Sequence, residues 1–351
     1  MTQHLPHRLP PTALPLTPGF HDGLPAPWWL RGGHAQTIIP AKLAPRPRVT
    51  FRRERWDTPD GDFIDLDWTT HPVRPGTPLL VMFHGLEGES RSHYAQTMMH
   101  ALRERGWQGV VPHFRGCSGE LNRAPRFYHS GDSAEIAWVL ERLHREQCAD
   151  GRKLLAAGIS LGGNALLRFL GERGNAASFV SAAAAVSAPV DLAAGGAALS
   201  QGFNLVYTRM FLQTLKRKSL AKLEQFPGLF DRDAMLASRD LYAFDNVVTA
   251  PLHGFRDTDD YWARASSKPI LREIAVPTLV LNARNDPFLP GRYLPGPGDV
   301  SGQVLLEQPA YGGHVGFMTP PAGLLRHLPL PNKGHIDWLP VRILRFFDGA
   351  A

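Results

Sequence analysis

Polar and apolar positions along the 351-residue chain follow two periods. Segments 49–57 and 63–70 read as strands joined at Thr58-Pro59-Asp60-Gly61, a strong turn signal. In the second, Phe63, Asp65, Asp67 and Thr69 alternate with Ile64, Leu66 and Trp68, the pattern of a one-sided antiparallel edge. Residues 79–83 (LLVMF) are apolar throughout, as in a strand buried on both faces. Helical spacing follows over 92–105, with Tyr94, Met98 and Leu102 on one stripe, and then a strand at 107–114. A helix over 132–146 carries Ile136, Val139, Leu140 and Leu143 on its apolar face. It leads to an apolar run at 153–157 and a second helical stripe at 164–170. This alternation predicts right-handed crossovers and a mostly parallel sheet with helices on both faces. Further strands are expected at 179–188, 276–282 and 304–306, and a last helix at 335–348.

Between 191 and 267 the alternation stops. Helical patterns at 203–216, 218–225 and 233–239 replace it, and the simplest account is a helical cap inserted over the strand ends. The chain therefore divides into a Pro-rich arm at 1–27, an α/β core at 28–190 and 268–351, and a cap insertion at 191–267. Phe203, Tyr207, Met210, Phe211 and Leu212 either line a binding space or form the cap's own core.

Composition narrows the class. Hydrophobic residues at 43% and charged residues at 20% indicate a core-forming globular chain. The net charge is +6, but its basic residues are scattered. The densest cluster, Lys216-Arg217-Lys218 with Lys222, reads as a solvated face and not as a nucleic-acid site. Cys117 and Cys148 form no disulfide framework and no CxxC pattern, which points to a reducing compartment. No apolar run approaches the ~18–20 residues of a spanning helix. Prolines 6, 10, 11, 15 and 18 break up any signal-peptide core, so a cytoplasmic location is expected, with peripheral lipid contact left open. No HExxH or clustered His/Cys/Asp spacing suggests a metal site.

The candidate chemistry lies in the loops that follow the strands. Gly158-Ile159-Ser160-Leu161-Gly162 joins an apolar run to a helical stripe. Strand, G-x-S-x-G, helix is the context of a nucleophile elbow, in which a tight turn exposes the serine hydroxyl. The amide of Leu161 then opens a helix, where an oxyanion can be held. His84-Gly85-Leu86-Glu87-Gly88 follows a buried strand and offers a second amide, that of Leu86. Asp286 follows the strand expected at 276–282, and His314 lies on a glycine-lined loop after the last strand. A serine needs an imidazole to activate it and a carboxylate to hold the imidazole's tautomer. Ser160, Asp286 and His314 supply these in the chain order of α/β-hydrolases. His84 and Arg115 read as loop braces, His34 as a structural hydrogen-bonding group, His335 as a weaker rival for the base, and Asp257, Asp259 and Asp260 as surface or hinge residues.

Six motifs together resemble the YheT-like branch of the α/β-hydrolase superfamily, related to eukaryotic abhydrolases that cleave acylglycerols and phospholipids. They are RGGHAQT at 31–37, HGLEG at 84–88, FRGCSGELNR at 114–123, GISLGGN at 158–164, NARNDPF at 282–288 and YGGHVGF at 311–317. The resemblance implies an α/β-hydrolase fold and a carboxylic-ester hydrolase with triad Ser160, Asp286 and His314 and an oxyanion loop at 84–86. Some relatives carry an HxxxxD acyltransferase-like motif, but the fifth residue after His314 is Thr319. The expected function is a serine esterase, carboxylesterase- or acylglycerol-lipase-like, acting on short- to medium-chain acyl esters, monoacylglycerols included. The reaction needs no cofactor and no partner beyond a small-molecule ester. Acyl transfer with the same triad, or binding without catalysis on a hydrolase scaffold, are the alternatives.

Overall fold

The computed structural model describes residues 26–320 and 336–350. Most of the expected 1–27 arm, and His335, therefore lie outside the described residues. Eight strands form one sheet: β1 (Phe51–Asp57), β2 (Phe63–Thr69), β3 (Leu79–Phe83), β4 (Gln108–Pro112), β5 (Leu154–Ile159), β6 (Ala182–Val186), β7 (Thr278–Leu281) and β8 (Val304–Glu307). Their spatial order is β1-β2-β4-β3-β5-β6-β7-β8, antiparallel at β1–β2 and β2–β4 and parallel elsewhere.

The period of two divides the core between the faces of the sheet. Leu79, Val81, Phe83, Leu154 and Ala156 pack on one face with α3 (Ser133–Gln147) and α4 (Leu161–Arg173). Leu80, Met82, Leu155, Ala157 and Ile159 pack on the other with α2 (His93–Arg105) and α11 (Trp338–Ala350). Between β6 and β7 the chain is helical: α5 (Leu192–Leu199), α6 (Leu205–Gln225), α7 (Arg232–Ala237), α8 (Leu241–Phe244), a π-helical turn at Asp245–Thr249, the single turn α9 (Ala250–Leu252) and α10 (Thr258–Ala265). No helix among the described residues is long and apolar enough to cross a membrane.

Three expectations are corrected, and one helix was not expected. β2 is not an edge strand: β1 covers it, and all seven of its residues are buried. Its carboxylates stay charged inside because neighbours neutralise them. Arg53 donates to both oxygens of Asp67 at 2.8 and 2.9 Å, and Arg55 does the same for Asp65. The break expected near residue 217 is absent, since α6 runs unbroken for 21 residues. The polar stretch at 31–37, for which no element was expected, opens α1 (Gly33–Lys42), a helix held by tertiary contacts despite its glycine and Pro40. Of the basic cluster, expected as a solvated face, only Arg217 is exposed. Lys222 is fully buried and donates to the carbonyls of Asn122 and Ala124, and Lys216 donates to those of Leu236 and Ser238.

The buried carboxylates predict the acid limb of stability. Burial pushes Asp67 up, but hydrogen bonds from Arg53, His113 and Ser90 outweigh it and hold the carboxyl far below its usual range. In Asp65, hydrogen bonds from Arg55 and Ser118 likewise outweigh burial. A carboxyl lowered in the fold stabilises it fully above its unfolded value of about 4, and that contribution fades as pH falls toward the folded value. The melting temperature should hold down to about pH 5 and drop steeply below about pH 4. Asp67→Asn should lower it at neutral pH and make the acid drop shallower. An unchanged acid limb in that variant would place its source elsewhere.

Candidate active site

Ser160 sits between β5 and α4 at φ 52° and ψ −120°, a left-handed conformation costly for a non-glycine residue. Two glycines make the turn fit. A Cβ on Gly158 would lie 2.4 Å from the Gly162 carbonyl oxygen, and one on Gly162 would lie 2.5 Å from that of His84. The Ser160 N–H donates to the Val186 carbonyl at 2.8 Å, which ties the turn to β6.

Asp286 follows β7, and His314 follows β8. The Ser160 hydroxyl lies 2.9 Å from His314 Nε2, and His314 Nδ1 lies 2.9 Å from Asp286 Oδ2. The other oxygen of Asp286 accepts the Phe288 N–H at 2.8 Å. With a carboxylate beside Nδ1, the ring proton sits on Nδ1 and Nε2 is left to accept from the serine. The Phe288 ring stacks on the imidazole at 4.0 Å between centroids and limits its rotation.

The His314 loop rests on α1. Thr37 Oγ1 accepts the His314 N–H at 2.9 Å. Gln36 Oε1 accepts the Gly312 N–H at 2.7 Å and an amide proton of Asn285 at 2.8 Å, and its own amide donates to the Leu30 carbonyl. Asn285 Oδ1 accepts the Gly313 N–H at 3.0 Å. Ser187 and Val315, both at positive φ, are joined by a 3.1 Å bond from the Val315 N–H to the serine hydroxyl. Gln36, Thr37, Asn285 and Ser187 were not singled out from the sequence. The motifs RGGHAQT and NARNDPF contain three of them, and that was the available signal.

The loop after β3 approaches Ser160 closely: a Cβ on Gly85 would lie 3.1 Å from the serine Cβ. The Gly85 N–H donates to Tyr94 Oη, and the Glu87 N–H to Tyr128 Oη. The amides of Leu86 and Leu161 make no hydrogen bond among the described residues, and both leucines line the same cavity as Ser160 and His314. His84 braces this loop, donating from Nδ1 to the Gly85 carbonyl and accepting the Phe114 N–H at Nε2. Burial drives its pKa down to about 3, so the ring is neutral. Arg115 is likewise a buried brace, paired with Asp60, Asp62 and Glu135. His34 bonds to Tyr207 at 3.2 Å, and Asp257 caps α10.

The cavity encloses about 1080 Å³, open space at its mouth included. Of the five aromatic and aliphatic candidates on α6 and just before it, Phe211 lines the cavity and Leu212 packs inside the helical layer. Tyr207 packs against Phe288, and Phe203 and Met210 are about half exposed. Lys218, also on α6, donates to Glu87 Oε1 at 2.8 Å, and Tyr128 Oη donates to the same oxygen at 2.9 Å. Burial pushes the adjacent Cys117 thiol up to about 12, so it stays protonated. Among the described residues, no group of three or more His, Cys, Asp or Glu is placed to hold a metal ion.

Comparison with known proteins identifies the family. The alpha/beta hydrolase fold family matches residues 78–321. A protein of Escherichia coli named "Putative esterase YheT" is 41% identical over 310 residues, covering 87% of this chain and 89% of that one. Phospholipase ABHD3 of Mus musculus is 32% identical over 298 residues, 83% of this chain and 72% of its own. The solved structure of the Pyrococcus furiosus esterase Pf2001 superposes with a TM-score of 0.53 at 13% identity, over 87% of this chain and 96% of that one, a likeness of fold. The chain belongs to the α/β-hydrolase fold family, and within it to the YheT-like branch.

Proposed function

We propose that the protein is a serine carboxylic-ester hydrolase acting on short- to medium-chain acyl esters, monoacylglycerols among them. The observation that carries this reading is the continuous pair of 2.9 Å contacts from Ser160 Oγ through His314 to Asp286, at the wall of a largely apolar cavity. The names of two relatives, an esterase and a phospholipase, point to the same bond type.

In this reading His314 Nε2 takes the proton as Ser160 Oγ attacks the ester carbonyl. Asp286 holds the tautomer and stabilises the imidazolium. The amides of Leu86 and Leu161 hold the oxyanion, and the alcohol leaves with the proton from His314. Water, deprotonated by His314, then releases the acid from Ser160. Residues 191–267 serve as a cap that keeps the cavity dry, inserted into a core formed by 28–190 and 268–351.

The test is covalent. A fluorophosphonate probe should label the protein at Ser160, as located by peptide mapping, and p-nitrophenyl esters of increasing chain length should be turned over and should protect against labelling. A label on another residue, or a folded protein that neither labels nor turns over ester, would overturn the assignment.

A further inference from the structure

Most of the cavity wall is apolar, and its polar residues include, apart from the Ser160–His314 pair and the Glu87–Lys218 pair, a cluster of His129, Asp245, Thr249 and His253. The mechanism above uses none of them. No hydrogen bond or ring contact among the described residues links them to Ser160, Asp286 or His314. They come together through an uncommon element, the π-helical turn Asp245–Thr249, which puts both of its terminal residues on the cavity. Such turns are energetically poor and concentrate at functional positions.

The wall has hydrogen-bonding capacity that the protein leaves unused. His253 Nε2 is shielded from solvent and has no partner among the described residues. Leaving a buried polar atom unpaired is costly, and native proteins seldom do so without a reason. The His253 ring lies 4.6 Å from that of His129, centroid to centroid. Burial drives His253 down to about 2, with repulsion from a protonated His129 as the second cause; burial also lowers His129, so at neutral pH both rings are neutral. His129 Nδ1 accepts the Gly131 N–H, which leaves its proton on Nε2. Asp245 Oδ2 accepts the Trp262 indole N–H at 2.9 Å, and Thr249 hydrogen-bonds the same carboxyl.

We propose that His129, Asp245, Thr249 and His253 form a second, polar subsite of the cavity, which binds an uncharged, hydroxyl-bearing end of the ester away from the scissile carbonyl. This rests on the ester-hydrolase reading and narrows its substrate class. The groups select the ligand. A carboxylate or phosphate would meet Asp245 and would not be tolerated. An ammonium could donate to Asp245 but could not accept from an imidazole N–H. A hydroxyl does both, and in a largely apolar cavity it needs such partners to offset its lost hydration.

Two pairs of isosteric esters test this and show which end of the substrate is held. In the acyl pair, p-nitrophenyl octanoate is compared with its analogue in which a hydroxyl replaces the terminal methyl. In the alcohol pair, propyl octanoate is compared with 2-hydroxyethyl octanoate. In one pair the wild type should accept the hydroxylated ester nearly as well as the methyl one. His253→Leu should then cut kcat/KM for that hydroxylated ester about tenfold, through KM, while the methyl ester stays within about threefold. The isosteric Thr249→Val should shift the ratio in the same direction, and His253→Gln should restore part of it. The proposal is overturned if His253→Leu and Thr249→Val leave the hydroxyl-to-methyl ratio of both pairs at the wild-type value. Failure of the wild type to turn over even the methyl esters, with no label at Ser160, would instead sink the ester-hydrolase reading beneath it.

Discussion

Ser160→Ala is expected to lower kcat on p-nitrophenyl esters by about 10⁵–10⁶-fold, and His314→Ala by a similar factor. The double variant should lose little more than either single one, because hydroxyl and imidazole act as one unit joined by the 2.9 Å contact. KM should change little, since neither side chain supplies much of the cavity wall. Asp286→Asn is expected to cost about 10⁴-fold, for a reason specific to this site. The Phe288 N–H is held on Oδ1, so an asparagine would keep its oxygen there and turn its NH₂ toward His314 Nδ1. Nδ1 would then have to accept, the ring proton would move to Nε2, and the base would face the serine with its lone pair gone. Single-turnover kinetics on the four variants checks this. An additive double variant, or Asp286→Asn retaining more than a tenth of wild-type kcat, would show that the three residues do not work as a relay.

The second large effect lies in two adjacent glycines. Gly33→Ala should reduce kcat by about 10²-fold, whereas Gly32→Ala should be silent. A Cβ on Gly33 would lie 2.0 Å from the Asn285 carbonyl oxygen, one residue before Asp286. Backbone cannot yield as a flexible side chain can, so α1 and the acid loop must separate. A Cβ on Gly32 meets nothing within 4 Å, and its φ of −75° suits any residue. Gly316→Ala should resemble Gly33→Ala, because its Cβ would lie 1.8 Å from the Gln36 carbonyl oxygen, where the His314 loop meets α1. Activity and melting temperature measured on the three variants decide the matter. Equal activity in Gly32→Ala and Gly33→Ala would mean that α1 does not position the site.

The Ser160–His314–Asp286 constellation was legible because each member stands at a strand's end with a sequence signal of its own: glycines about Ser160, an acidic loop after β7, glycines about His314. The sheet was legible from LLVMF and its neighbours because strands buried on both faces can be written in few ways. What the sequence hid has physical causes. α1 carries two glycines at its start and a proline inside, so its local preference runs against helix, and only its contacts with distant loops hold it. β2 looked like an edge because its carboxylates alternate with apolar residues. The arginines that neutralise them belong to another strand, and their pairing is a fact of register. Lys218 and Lys222 looked solvated for the same reason, since Glu87 and the carbonyls that receive them are about a hundred residues or more away in the chain. The π-helical turn that brings Asp245 and Thr249 to the cavity has no recognised sequence mark.

The dependence of the His314 loop on α1 also sets an order of assembly. Gln36 and Thr37 bond to amides 276 and 277 residues further along. During synthesis α1 leaves the ribosome well before its partners do. Closing so long a loop costs entropy that only the finished sheet can repay. Until then the nucleophile turn can form on β5 and α4, but it has no base and no brace. A stalled or truncated chain ending before residue 314 therefore lacks the proposed base, and the proposed ester cleavage can begin only when α1 and the His314 loop meet.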